Sequence, residues 1–206
     1  MKKICILDYG LGNIKSLYNS LVKIGHKPEF YSNINHQSHF DFIFIPGVGS
    51  FSRGSNLILS KYLNFLENAK KNGSTIFGIC LGMQLLLSEG EENGKNKGLN
   101  FIGGKVIYLD KTKKIRLPVV GWQNVIFNNL EKYSFLKKYD NKKFYFVHSY
   151  AAHLNSKEHV LSTSTYKNIN YCSSIIGENC IGTQFHPEKS GEIGLEFISD
   201  FIKNFK

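Results

Sequence analysis

The sequence predicts an α/β fold in which helices flank a central, mostly parallel sheet, built as one domain over residues 1-206. Three observations lead there. Short apolar runs alternate with helix-period patterns through the first half of the chain. The runs are continuously apolar, as strands covered on both faces require. A length of 206 residues with 42% hydrophobic content and no interrupting low-complexity tract suits one sizeable core.

The elements follow in chain order. Lys3 to Leu7 reads as a buried strand. Asn13 to Ile24 then reads as a helix, with Ile14, Leu17, Leu21 and Ile24 on one face and Gly25 closing it. Phe42 to Ile45 is a second apolar strand ending at Pro46, and Leu59, Leu63, Leu66 and Ala69 mark a helix stopped at Gly73. Ser74 to Ile79 enters as another strand. From Glu89 to Gly98 the chain turns charged and glycine-punctuated. Shorter strand candidates follow at Lys105 to Leu109, Phe144 to Val147, His159 to Thr163, Ser173 to Ile176 and Ile181 to Phe185. A last helix, Gly191 to Phe205, places Leu195, Ile198, Ile202 and Phe205 on one stripe to pack back onto the sheet. Neither a repeat nor a linker divides the chain, so the second half elaborates the same domain.

Composition narrows the function classes. No apolar run approaches the roughly 18 residues that would span a bilayer, and Met1 to Asp8 reads as a strand with an acid rather than a signal peptide, so a soluble, cytoplasmic protein is expected. The net charge of +10 is carried by short, scattered pairs (Lys2-Lys3, Lys70-Lys71, Lys113-Lys114, Lys137-Lys138, Lys142-Lys143) without a nucleic-acid-binding signature, which points to a solvated basic surface and no nucleic-acid or membrane partner. Cys5, Cys80, Cys172 and Cys180 lack CxxC spacing, so neither a metal site nor a disulfide framework is expected, and Cys5, Cys172 and Cys180 read as buried fillers.

Cys80 is different. Gly78-Ile79-Cys80-Leu81-Gly82 is a strand running into a helix through a turn with a nucleophile at its apex, the cysteine counterpart of the G-x-S-x-G elbow. The glycines allow a turn that side chains would block, and a helix amino terminus favours a thiolate. A helix end alone rarely suffices, so a histidine partner is needed. Gln184-Phe185-His186-Pro187-Glu188 supplies one after an apolar strand. His186 and Glu188 lie two apart, so an extended backbone sends both to one side; His186 can take the thiol proton while Glu188 orients the imidazole. The Pro46-Gly47-Val48-Gly49 loop follows a strand end, and its glycines let a peptide turn an amide inward to form, with the Leu81 amide, an oxyanion hole. Gln84 lies one helical turn past Cys80, where its amide could bind a substrate's amino-acid end.

GICLGMQ (Gly78 to Gln84) and QFHPEKSG (Gln184 to Gly191) resemble the two signatures of class I, or triad-type, glutamine amidotransferases, and the resemblance spans almost the whole chain. Four further segments, DYGLGNIKS near the start, IPGVGSF from Ile45 to Phe51, GWQNV from Gly121 and FYFVHSY from Phe144 to Tyr150, resemble the HisH family, the glutaminase subunits of imidazole glycerol phosphate synthase. The resemblance implies a flavodoxin-like fold, cofactor-free glutamine hydrolysis, and a barrel-shaped HisF-type cyclase as heterodimer partner, receiving ammonia through an internal tunnel. It implies Cys80, His186 and Glu188 as the catalytic triad and Val48, Gly49 and Leu81 at the oxyanion hole. It also implies Gln84, Glu92 and the Ser149 and Tyr150 backbone on substrate, and Asn13, Trp122 and Tyr145 near the partner and tunnel. One segment departs: the family usually reads P-H-M-G-W-N where this chain has Pro118-Val119-Val120-Gly121-Trp122-Gln123. Every triad and glutamine-binding position is kept while the partner-facing segment changes. This leaves open a glutaminase feeding a different synthase, and a non-catalytic partner that retains the fold.

Overall fold

The computed structural model of the protein describes residues 2–31, 39–110, 112 and 115–205. Met1, Lys113 and Lys114, which the sequence reading used, lie outside them. Five strands form a parallel heart in the order β2 (Glu29–Phe30), β1 (Ile4–Ile6), β3 (Phe42–Ile45), β4 (Thr75–Ile79) and β13 (Cys180–Thr183). Helix α1 (Ile14–Lys23), capped by the Asn13 side chain, covers one face together with α5 (Gly191–Asn204). Helices α2 (Phe51–Lys61), α3 (Leu63–Lys71) and α4 (Leu81–Leu85) cover the other. Alternation along the strands sorts the side chains: Ile4, Ile6, Phe42 and Phe44 face α1 and α5, while Cys5, Leu7, Ile43 and Ile45 face α2 to α4.

Beyond β13 the pairing turns antiparallel. β12 (Ile169–Gly177) joins β13 to β10 (Tyr150–Leu154) and then β7 (Ile102–Tyr108); β5 (Leu87–Gly90) pairs parallel to β7, and β6 (Asn96–Lys97) closes the edge. β11 (Val160–Tyr166) pairs with β12 and with β8 (Val119–Phe127), whose hairpin partner is β9 (Lys142–His148). The parallel strands therefore form one end of the sheet, with β2 at its edge. Among the described residues no helix is long and apolar enough to cross a membrane.

Several local expectations need correction. The helix expected around Leu59 to Ala69 is two helices, because Tyr62 leaves helical geometry (φ −125, ψ −5) and serves as the end of α2 and the start of α3. On α5 the buried face is Gly194, Phe197, Ile198, Phe201 and Ile202, one position round from the expected stripe: Leu195 is half-buried, and Phe205 is buried just past the helix end. Phe197 and Phe201, with ring centroids 4.7 Å apart, win that face because they complete an aromatic cluster with Phe77 and Phe185. The strands β2, β5, β6, β8 and β10 were not anticipated.

Candidate active site

The parallel strands carry three loops to one end of the sheet. β3 ends at Ile45 before Pro46, β4 at Ile79 before Cys80, and β13 at Thr183 shortly before His186; in register, Ile45 stands opposite Gly78 and Ile79 opposite Thr183. This is the carboxyl edge, where open α/β sheets bind ligands. The Cys80 amide donates to the Thr183 carbonyl at 2.7 Å, which ties the nucleophile's turn to the histidine-bearing strand.

The elbow is sterically enforced. Cys80 sits at φ 53, ψ −107, outside the regions open to most side chains. A Cβ on Gly82 would run into the Ile45 carbonyl, and one on Gly78 would meet the Gly82 backbone. Helix α4 is only five residues long, so its dipole is a smaller aid to the sulfur than a long helix would be, and the charge partner matters more.

That partner is His186. Its Nδ1 lies 2.8 Å from Glu188 Oε1, both side chains being almost fully buried. Glu188 reaches it from a 3-10 turn (Pro187–Lys189) rather than from the extended backbone that the sequence suggested; Pro187 opens that turn at its first position, where its missing N–H costs nothing. With Nδ1–H donated to Glu188, Nε2 is the nitrogen left to gain or lose a proton, buried and without a partner that meets hydrogen-bond geometry. Burial lowers the imidazole pKa, but the Cys80 sulfur and then Glu188 more than offset it and push it up to about 10.

A cleft of about 350 Å³ opens beside Cys80 and is also lined by Val48, Gly49, Leu81, Gln84, Glu92, Ser149 and Tyr150. A larger hollow of about 590 Å³ beside Tyr31 and Phe65 is lined by no cysteine. Every residue expected at the oxyanion hole or on substrate thus borders the Cys80 cleft. Two details differ from the expectation. The Leu81 amide is directed at the Gly47 carbonyl (3.4 Å), so a loop carbonyl occupies the place where an oxyanion would sit. The Gln84 amide nitrogen is committed to the Tyr150 carbonyl (3.1 Å) and to Gln184 Oε1 (3.0 Å), leaving only its oxygen for a ligand.

Three residues went unread in the sequence. Gln184 receives that bond and directs its own Nε2 to Cys80 Sγ at 3.6 Å. His148 places Nδ1 2.9 Å from the Tyr150 carbonyl; burial lowers its pKa to about 4, so it is neutral and Nδ1–H is the donor. Tyr9 presses its buried, unpartnered hydroxyl against Gly47. All three lie inside the quoted motifs, which was the available signal. Among the expected doorway residues, Trp122 is 49% exposed and packs edge-on to Tyr145 at 6.2 Å. Asn13 is exposed and caps α1. Cys5, Cys172 and Cys180 are buried and unpaired, with thiols pushed up to about 12 by burial. Among the described residues no cluster could hold a metal ion.

Residues 5–205 match the family described as Glutamine amidotransferase class-I. The chain belongs to the class I glutamine amidotransferases. Among curated relatives it is 38% identical to the imidazole glycerol phosphate synthase subunit HisH of Sulfolobus acidocaldarius, covering 96% of each chain. It is 37% identical to HisH 2 of Methanococcus maripaludis, over 97% of this chain and 98% of that one. Among solved structures, a chain of PurLQS from Thermotoga maritima superposes with a TM-score of 0.72 at 19% identity, covering 100% of both chains, which bears on the fold alone. With that family fold, a central sheet flanked by helices, the chain is a glutamine amidotransferase with glutaminase activity.

Proposed function

We propose that this chain is the glutaminase subunit of an imidazole glycerol phosphate synthase in histidine biosynthesis, a one-domain cytoplasmic protein that works as a heterodimer with a HisF-type cyclase. The observation that carries the reading is Cys80 at the wall of a cleft, backed by the buried His186–Glu188 pair, in a chain whose near-full-length relatives are named HisH.

In the proposed reaction Cys80 Sγ attacks the side-chain amide carbon of glutamine, and the carbonyl oxygen takes up the negative charge. His186 passes the proton to the departing nitrogen, the C–N bond breaks, and ammonia leaves behind a γ-glutamyl thioester. Water, losing its proton to His186, hydrolyses the thioester, returning the Cys80 sulfur and releasing glutamate. The ammonia serves the cyclase, which converts the phosphoribulosyl formimino substrate to imidazole glycerol phosphate and aminoimidazole carboxamide ribotide. Before attack, the peptide joining Gly47 and Val48 has to turn over, so that the Gly47 carbonyl leaves the Leu81 amide and the Val48 amide joins it. The glycines on either side of Val48 permit that turn, with Gly49 already at φ +129. Exposed Val120, Trp122 and Ile126 on β8 form the apolar face that we assign to the partner.

The test is reconstitution with the HisF-type cyclase. Glutamine should support imidazole glycerol phosphate formation with the wild-type chain and fail with Cys80→Ala, while added ammonia supports both. A second reading, a glutaminase for a different synthase, is favoured by Val119 and Val120 in the partner-facing segment, where the family usually has histidine and methionine. It prevails if this cyclase neither binds the chain nor uses its ammonia.

A further inference from the structure

The loop after β3 runs directly into α2, so the geometry of Val48 and Gly49 depends on how the helix start is held. The first amides of a helix need acceptors, yet Ser50 gives α2 no side-chain cap. An acceptor comes from 41 residues away: Glu92 Oε2 receives the Phe51 amide at 2.6 Å. Glu92 is itself fixed, because Asn96 Nδ2 donates to its carbonyl at 3.1 Å and Asn96 pairs with Gly90 across β5 and β6. Gly90 completes the joint: a Cβ there would stand 2.7 Å from the Phe51 ring. Val48, Gly49, Cys80 and Glu92 all border the same cleft.

We infer that Glu92 is a positioning residue for the oxyanion loop as well as an acid for the substrate amine, so that one carboxylate registers both ends of the reacting glutamine. This rests on the glutaminase reading of the site. One oxygen holds the Phe51 amide, and the other makes no bond among the described residues and is available to an ammonium. An acid that only bound the amine would set affinity. An acid that also anchors the loop three residues beyond Val48 sets how well the hole meets the developing oxyanion, and so enters kcat. Glutamine at position 92 would keep an oxygen for the Phe51 amide while losing the charge; alanine would lose both.

The assembled heterodimer, with cyclase ligand bound, is assayed for glutamate release over a range of glutamine concentrations. Glu92→Ala should raise KM and lower kcat about tenfold, the scale of one lost charge-assisted hydrogen bond. Glu92→Gln should keep the raised KM but bring kcat back to within about threefold of wild type. In the free chain, amide exchange at Phe51 should quicken about tenfold or more in Glu92→Ala and stay slow in Glu92→Gln. The inference is overturned by a wild-type kcat in Glu92→Ala, by a Glu92→Gln variant as slow as Glu92→Ala, or by unchanged Phe51 exchange. If the wild-type chain releases no more glutamate than Cys80→Ala, the glutaminase reading fails, and Phe51 exchange still decides the tether by itself.

Discussion

The Cys80 sulfur and then Glu188 push the His186 pKa up to about 10, so the acid proposed for ammonia departure persists to alkaline pH. Glu188→Gln removes one of the raising influences. The alkaline limb of the kcat/KM profile for glutamate release should then move to lower pH, with kcat down about tenfold as the ring loses its orienting bond; an unmoved limb would contradict the role. His148 works the other way. Its folded pKa of about 4 lies below the ordinary 6.5, so the stability it contributes is present above pH 6.5 and is lost as pH falls through about 4. Urea midpoints should fall across that window, and His148→Asn should flatten the slope there; an identical slope would show that His148 does not titrate as described. Cys80, His186 and Glu188 were legible in the sequence because each motif carries its chemistry within a few contiguous residues. Gln184 and His148 were not, since Gln184 acts through contacts spanning 100 and 104 residues and His148 through burial that no local pattern reveals.

The elbow and the β8 hairpin behave oppositely as elements. The elbow was readable because glycine at positions 78 and 82 has a steric reason, and that reason predicts its fragility. Gly82→Ala should cost about 3 kcal/mol by forcing α4 away from the Ile45 carbonyl, measurable as a lower urea midpoint together with lost glutamate release; a midpoint shifted by less than about 0.5 kcal/mol would refute the packing account. β8 went unread as a strand although it alternates at its ends, with Val119 buried, Val120 exposed, Val125 buried and Ile126 exposed, because glycine, glutamine and asparagine interrupt the pattern between them. Its outward face carries the partner proposal. Trp122→Ala should leave stability within about 0.5 kcal/mol of wild type and weaken cyclase binding at least about tenfold. Unaltered binding would move the interface elsewhere.

For the molecule as a whole, the parallel half of the sheet was legible from continuous apolar runs joined by helices, which admit few topologies. The antiparallel half was not: β7 lies between β10 and β5, and β11 between β12 and β8, pairings chosen by long-range packing rather than by neighbouring sequence. The two halves meet at the cleft: the first contributes Cys80 and the loop after β3, with Gln184 and His186 just past β13, and the second contributes His148, Ser149 and Tyr150. With the Gly47 carbonyl on the Leu81 amide, the proposed triad is assembled while the proposed oxyanion hole is closed. The most direct measurement is glutamate release by the wild-type chain alone, with the cyclase, and with the cyclase and its nucleotide ligand, against Cys80→Ala throughout. We predict slow release alone and a rise of about a hundredfold or more in the liganded complex, as expected when an oxyanion-hole donor is restored, with none from Cys80→Ala. Equal rates in all three conditions would contradict the closed-hole account, and release by Cys80→Ala would contradict the nucleophile.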